Sequence, residues 1–161
     1  MLENNFFKRS KINFLNFVPI GICLGFSLYF IVIEASVFYN TKPIVIYSFG
    51  LYFFTFTFNY RALRNLNIWL IWFGLSLLQI LIYYQNELEN TDFTAIRGLR
   101  NFWIFLIVFQ IFRWISIKFQ KEEFITLSRS KWDILDNRRI TILDMLIYVL
   151  GIFFIFILQI I

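Results

Sequence analysis

The sequence predicts an all-α protein, a polytopic transmembrane bundle of about five spanning helices with a short amphipathic inner loop. Three observations carry this. Hydrophobic residues make up 60% of the 161 positions, whereas a soluble domain of this size keeps a mostly polar surface. The apolar residues gather into five stretches separated by short polar segments. The fifteen lysines and arginines flank those stretches, as the positive-inside rule expects. A β-barrel is disfavoured, because barrel strands alternate apolar and polar residues over about ten positions. Here the runs 18–33 and 145–161 are apolar on nearly all sides.

The whole chain forms one transmembrane domain. Its first segment covers about 14–38, behind the basic residues Lys8, Arg9 and Lys11. It is too long for a cleavable signal core and reads as a retained anchor. Pro19 falls in its first turn, where a missing N–H costs little. Glu34 is the only charge within it. Segment two covers 43–60 and opens on Pro43, a good first helical residue. Segment three covers 66–84, segment four 102–117 with Arg113 inside it, and segment five 140–161. A span needs roughly 20 mainly apolar residues, with about 17 as the lower end. Segments one, three and five meet that comfortably; two and four need their flanks.

Charge sets the orientation. With the N-terminus inside, the inner segments hold Lys8, Arg9, Lys11, Arg61, Arg64, Arg113, Lys118, Lys121, Arg129, Lys131, Arg138 and Arg139. Lys42, Arg97 and Arg100 fall outside. Twelve against three is the asymmetry the rule predicts, with the C-terminus outside. The setting this suits is a bacterial cytoplasmic membrane, or else an organelle inner membrane. The outer loop 85–100 reads as a short interfacial helix carrying Phe93, Ile96 and Leu99. The inner loop 118–139 mixes Phe119, Phe124, Ile125 and Trp132 with charges, and reads as one or two amphipathic surface helices. Ser130 with Asp133 is a fair helix start there. Arg129, Lys131, Trp132, Arg138 and Arg139 are candidate contacts to headgroups or to a docking partner.

Composition excludes much chemistry. There is no histidine, which removes His-ligated haem, HExxH proteases and Ser–His hydrolases. Cys23 is the single cysteine, so an internal disulfide cannot form and a zinc site is not expected. Six scattered glycines build no phosphate loop. No catalytic, cofactor-binding or metal residue is therefore expected, and the chain is not read as an enzyme. The net charge of +5 is explained by membrane orientation, and nucleic acid is not an expected partner.

A few residues stand out. A carboxylate in an apolar span is costly and by default functional. Glu34 lies about one turn from the outer end, so pairing with Arg97, Arg100 or Lys42 is the simpler expectation, and proton or cation coupling the sharper one. Arg113 and Asp144 sit at matching depth near the inner ends of segments four and five, which predicts that they face and pair. Gly21 and Gly25 form a GxxxG signature, expected to pack on a neighbour within the bundle. Gln79, Gln110 and Gln159 are expected to make interhelical hydrogen bonds. The functional expectation is a non-catalytic integral membrane subunit, or an assembly or scaffold factor, of a larger complex. Its partners would be the lipid bilayer and other membrane subunits. The alternative is a small oligomeric secondary transporter or channel using Glu34.

Overall fold

The computed structural model describes residues 17–33, 42–87, 97–126, 132–133 and 138–161. They form five α-helices: α1 (Val18–Ile33), α2 (Lys42–Thr57), α3 (Leu66–Glu87), α4 (Arg97–Gln120) and α5 (Ile142–Ile160). Three stretches are long and apolar enough to cross a membrane: Leu66–Tyr84 within α3, all of α4, and α5. The apolar stretches of α1 and α2 are shorter, Val18–Ile31 and Pro43–Thr57. The structure thus bears out an all-α bundle with three long apolar candidate spans, fewer than the five expected. At 1.5 Å per residue a 16-residue helix is about 24 Å long, less than the roughly 30 Å apolar core of a bilayer.

Burial is inverted relative to a soluble bundle. Ser27, Ser48, Thr55, Ser76, Gln79, Asn101, Ser116 and Gln159 lie inside, while Ile46, Leu81, Val149 and Phe153 point outward. A polar side chain facing hydrocarbon has no partner, so it turns inward to bond another helix. The three glutamines behave this way. Gln79 donates to Ser27 (2.7 Å), Gln110 donates to the Leu63 carbonyl (3.1 Å), and Gln159 accepts from Ser48 (3.0 Å).

The tight part is α3–α4–α5, with α2 laid across α4 and α5. Its centre is aromatic. Phe56 of α2 stacks on Tyr148 and Phe124 and meets Phe105 and Phe109 edge-on. Phe53, Phe54 and Phe58, from the same phenylalanine run, face outward. Two glycines permit this closeness. A Cβ at Gly151 would overlap the Phe56 ring, and one at Gly98 would overlap the Gln159 amide.

Segment four turns out longer than 102–117. Helix α4 is described from Arg97 onward, and both arginines of its first turn reach across to the carbonyls ending α5. Arg97 Nη1 donates to Ile160 O (3.4 Å) and Arg100 Nη2 to Ile161 O (2.9 Å). Cations at a helix C-terminus satisfy orphan carbonyls and favour the dipole. At its other end α4 stops at Gln120, and Lys121 takes a left-handed φ of 60°. The chain then turns into the bundle: Phe124, Ile125 and Thr126 are buried.

The inner loop therefore departs from the expected surface helices. Residues 121–126 are irregular; Lys121 and Glu122 are exposed, Glu123 is half-buried, and Phe124–Thr126 are packed inside. Further on, β1 (Trp132–Asp133) and β2 (Arg138–Arg139) form a two-residue antiparallel ladder, with Trp132 opposite Arg139 and Asp133 opposite Arg138. The ladder sets Trp132 and Asp133 beside Arg139 and Arg138, where a helix would have spread them along one axis; Arg129, Ser130 and Lys131 lie outside the described residues. Most of the expected outer interfacial helix lies outside the described residues; Leu99 belongs to α4.

Candidate functional site

Two regions gather the polar and open features. The first lies where α4 ends and α5 begins. Arg113 is a guanidinium 1% exposed, a costly position unless the charge is matched. It is met by Glu123. Arg113 Nε donates to Oε2 at 2.7 Å and Nη2 to Oε1 at 2.6 Å, a bidentate fork of the strong, charge-assisted kind. Arg113 Nη1 also reaches Gln110 Oε1 (3.3 Å), and Arg64 stands 3.9 Å from the same carboxylate. Arg64 Nη2 in turn donates to the Phe124 carbonyl (2.5 Å).

Asp144 takes a different set of partners. Thr141 is the N-cap of α5, and the two residues form a capping box. The Asp144 N–H donates to the Thr141 hydroxyl (3.2 Å), and the Asp144 carboxylate accepts from the Thr141 N–H (3.0 Å). The same carboxylate accepts from Gln120 Nε2 (2.9 Å) and the Ile125 N–H (3.3 Å). Gln120 is the junction, because its Nε2 also reaches Ser116 (2.6 Å) and its Oε1 accepts from Thr141 (2.6 Å). The expected facing pair of Arg113 and Asp144 is thereby corrected. Both are buried at this end, but Arg113 forks onto Glu123 from the turn after α4, while Asp144 caps α5 and pins that turn. Segment five starts at Thr141, so Asp144 lies at the helix start and benefits from the dipole.

These bonds fold the 121–126 turn into the bundle as a plug. Ser116 donates to the Glu122 carbonyl (2.9 Å) and Thr126 to the Thr57 carbonyl (3.2 Å), so the turn is tied to α2, α4 and α5. A buried irregular segment must satisfy its backbone in this way. The chemistry on view is structural. Carboxylates and guanidinium groups hold one another and neighbouring amides, and among the described residues no three potential metal ligands come together.

The second region is the outward side of α1 and α2. Helix α1 packs chiefly on α3, and α2 on α4 and α5; α1 and α2 meet through Tyr47, whose ring lies against Phe26 and Phe30. A groove of about 620 Å³ lies between the two helices, with apolar walls that include Pro19, Ile22 and Phe26 of α1, Ile46 and Gly50 of α2, and Trp72 of α3. Tyr47 bridges it, its hydroxyl 2.9 Å from Ser27 Oγ and 3.3 Å from Cys23 Sγ. Behind lie the Gln79 Oε1 and the Trp72 indole N–H, both buried and without a hydrogen-bond partner among the described residues. On the side of α1 turned away from the bundle, Gly21 and Gly25 are exposed and would offer an added Cβ no atom within 4 Å. The expectation that this GxxxG pair packs inside the bundle is corrected: its open face points outward.

The remaining candidates are dispersed. Arg97 and Arg100 hold the end of α5, and Arg100 also lies over the Tyr83 ring at 5.3 Å. Glu34, Arg129 and Lys131 lie outside the described residues. Trp132 and Arg138 are ladder residues, and Arg139 is exposed. Glu123 and Gln120, central to the polar end, were not singled out by the sequence. The Thr141-x-x-Asp144 spacing before an apolar run was the available signal for the cap.

No protein-family model matches the sequence, and no curated protein or solved structure matches it significantly.

Proposed function

We propose that this chain is a non-catalytic subunit, or an assembly factor, of a larger membrane complex. The observation that carries the reading is the outward GxxxG face of α1. Glycines four apart remove side-chain bulk along one stripe and let another helix's backbone approach closely, the main attraction available between helices in lipid. Among the described residues nothing comes within 4 Å of a Cβ added to either glycine of that stripe. The polar end adds support, since its buried charges are engaged in holding the 121–126 turn.

In this reading all five helices cross the membrane, N-terminus inside. The interhelical bonds fit such an alternation. Early α4 meets late α5, as Asn101 donates to the Leu158 carbonyl (3.0 Å), and early α2 meets late α5 through Ser48 and Gln159. Short α1 and α2 cross where neighbours or local bilayer thinning accommodate them. The basic Arg113 end would face inward, in a bacterial cytoplasmic membrane. Reporter fusions after residues 41, 63, 92, 130 and 161 should then read out, in, out, in, out. A cytosolic signal at 161 rejects the five-span arrangement.

The functional test is mild detergent extraction at native expression, followed by mass measurement of the intact complex. A stoichiometric membrane-protein partner is expected. A homo-oligomer that carries proton-linked flux in liposomes would replace this reading with the transporter.

A further inference from the structure

We propose that the α1–α2 groove holds one acyl chain of a bilayer phospholipid, a binding site independent of the protein partner argued above. The groove has the size of a ligand site, its volume falling within the roughly 300–1,000 Å³ of ligand pockets, and its lining is almost wholly apolar. Its length fits an extended chain. The lining residues of α1 run from Pro19 to Phe30, roughly 16 Å along the axis at the helical rise.

Its width selects the occupant. Tyr47 crosses from α2 to within 3.4 Å of the Cys23 carbonyl, so the walls are held close at that level. A helix about 10–12 Å across could rest on the rim but not reach the Trp72 floor. A single hydrocarbon chain is narrow enough to do so, and the bilayer supplies it at high concentration. The floor at Trp72 is closed: its indole N–H is sealed beneath the surface, so the groove offers its occupant apolar contact, which is what an acyl chain takes.

The groove can be filled without harming the fold. Gly50 lines it, and a Cβ there meets no atom within 4 Å. Gly50→Leu therefore adds bulk to the groove while improving helix propensity. Gly74 of α3 is equally open but does not line the groove, so Gly74→Leu is the matched control. The full chain is purified in mild detergent, stripped of lipid, incubated with phosphatidylglycerol and weighed by native mass spectrometry. Wild type and Gly74→Leu should each retain one phosphatidylglycerol, and Gly50→Leu should lose it while melting no lower than wild type. Equal retention by Gly50→Leu and Gly74→Leu overturns the proposal, as does wild type that takes up no lipid. If Gly50→Leu instead sheds a protein partner with lipid unchanged, the groove is a protein interface and the proposal is wrong.

Discussion

The two sides of this bundle are built on different terms. Around α4 and α5 every approach is close: Gly151 admits the Phe56 ring, Gly98 admits Gln159, and the 121–126 turn is bonded to three helices. Around α1 and α2 the glycines open outward and a groove lies between consecutive helices. Both sides use the same residue types. The difference lies in whether the glycine faces another element of this chain. Where it does, it builds the fold; where it does not, it leaves room for something else. That contrast makes quantitative claims.

The largest effect should come from the polar end. Arg113→Ala or Glu123→Ala leaves a charge near the bundle interior without its fork partner. For fully buried pairs the loss is about 3–5 kcal/mol; the Glu123 side chain is 32% exposed, so about 3 kcal/mol is expected. Thermal unfolding in detergent should show a large drop for both. A double-mutant cycle should give clear coupling for Arg113 with Glu123, and little for Arg113 with Asp144. Strong coupling in the second cycle would restore the pairing that the sequence suggested.

Next comes packing. Gly151→Leu forces bulk into the Phe56 ring, and overpacking of this kind costs typically 1–3 kcal/mol or more. Replacing Phe56 with Leu in the same chain should recover part of that loss by making space. No recovery would mean that the clash lies elsewhere.

Smaller still is the cap. Thr141→Ala removes the hydroxyl that holds the Asp144 N–H and bonds Gln120, at a cost of about 1 kcal/mol. Thr141→Ser retains the hydroxyl and should stay near wild type. Equal losses for the two would show that the methyl group, not the capping box, matters.

Much of the fold was legible because lipid imposes simple rules. Five apolar stretches became five helices, and the boundaries of α3 and α5 fall close to those expected, since charge and hydropathy change sharply there. The first turns of α4 were missed because Arg97–Asn101 read as loop by polarity; in the structure Arg97, Arg100 and Asn101 are matched by carbonyls far away at the end of α5. The inner loop misled for a similar reason. Phe124 and Ile125 beside Glu122 and Glu123 look amphipathic in one dimension, while in three dimensions the apolar pair enters the core and Glu123 turns to Arg113. That a buried Arg113 needs an acid was foreseeable; which acid was not. Asp144 had the matching depth, but the local cap claimed it. The GxxxG motif showed the converse limit: spacing reveals a surface made for close approach, not which surface approaches it.

The central claim is that the open glycine face of α1 serves association while the packed glycines serve folding. It is tested most directly by the double substitution Gly21→Ile with Gly25→Ile, read for melting temperature and for the mass of the detergent-extracted complex together. The account predicts an unchanged or slightly raised melting temperature, because a Cβ at either position meets no atom of the described residues within 4 Å, and loss of the partner from the complex. A fall in stability comparable to Gly151→Leu, or a complex of unaltered mass, would contradict it.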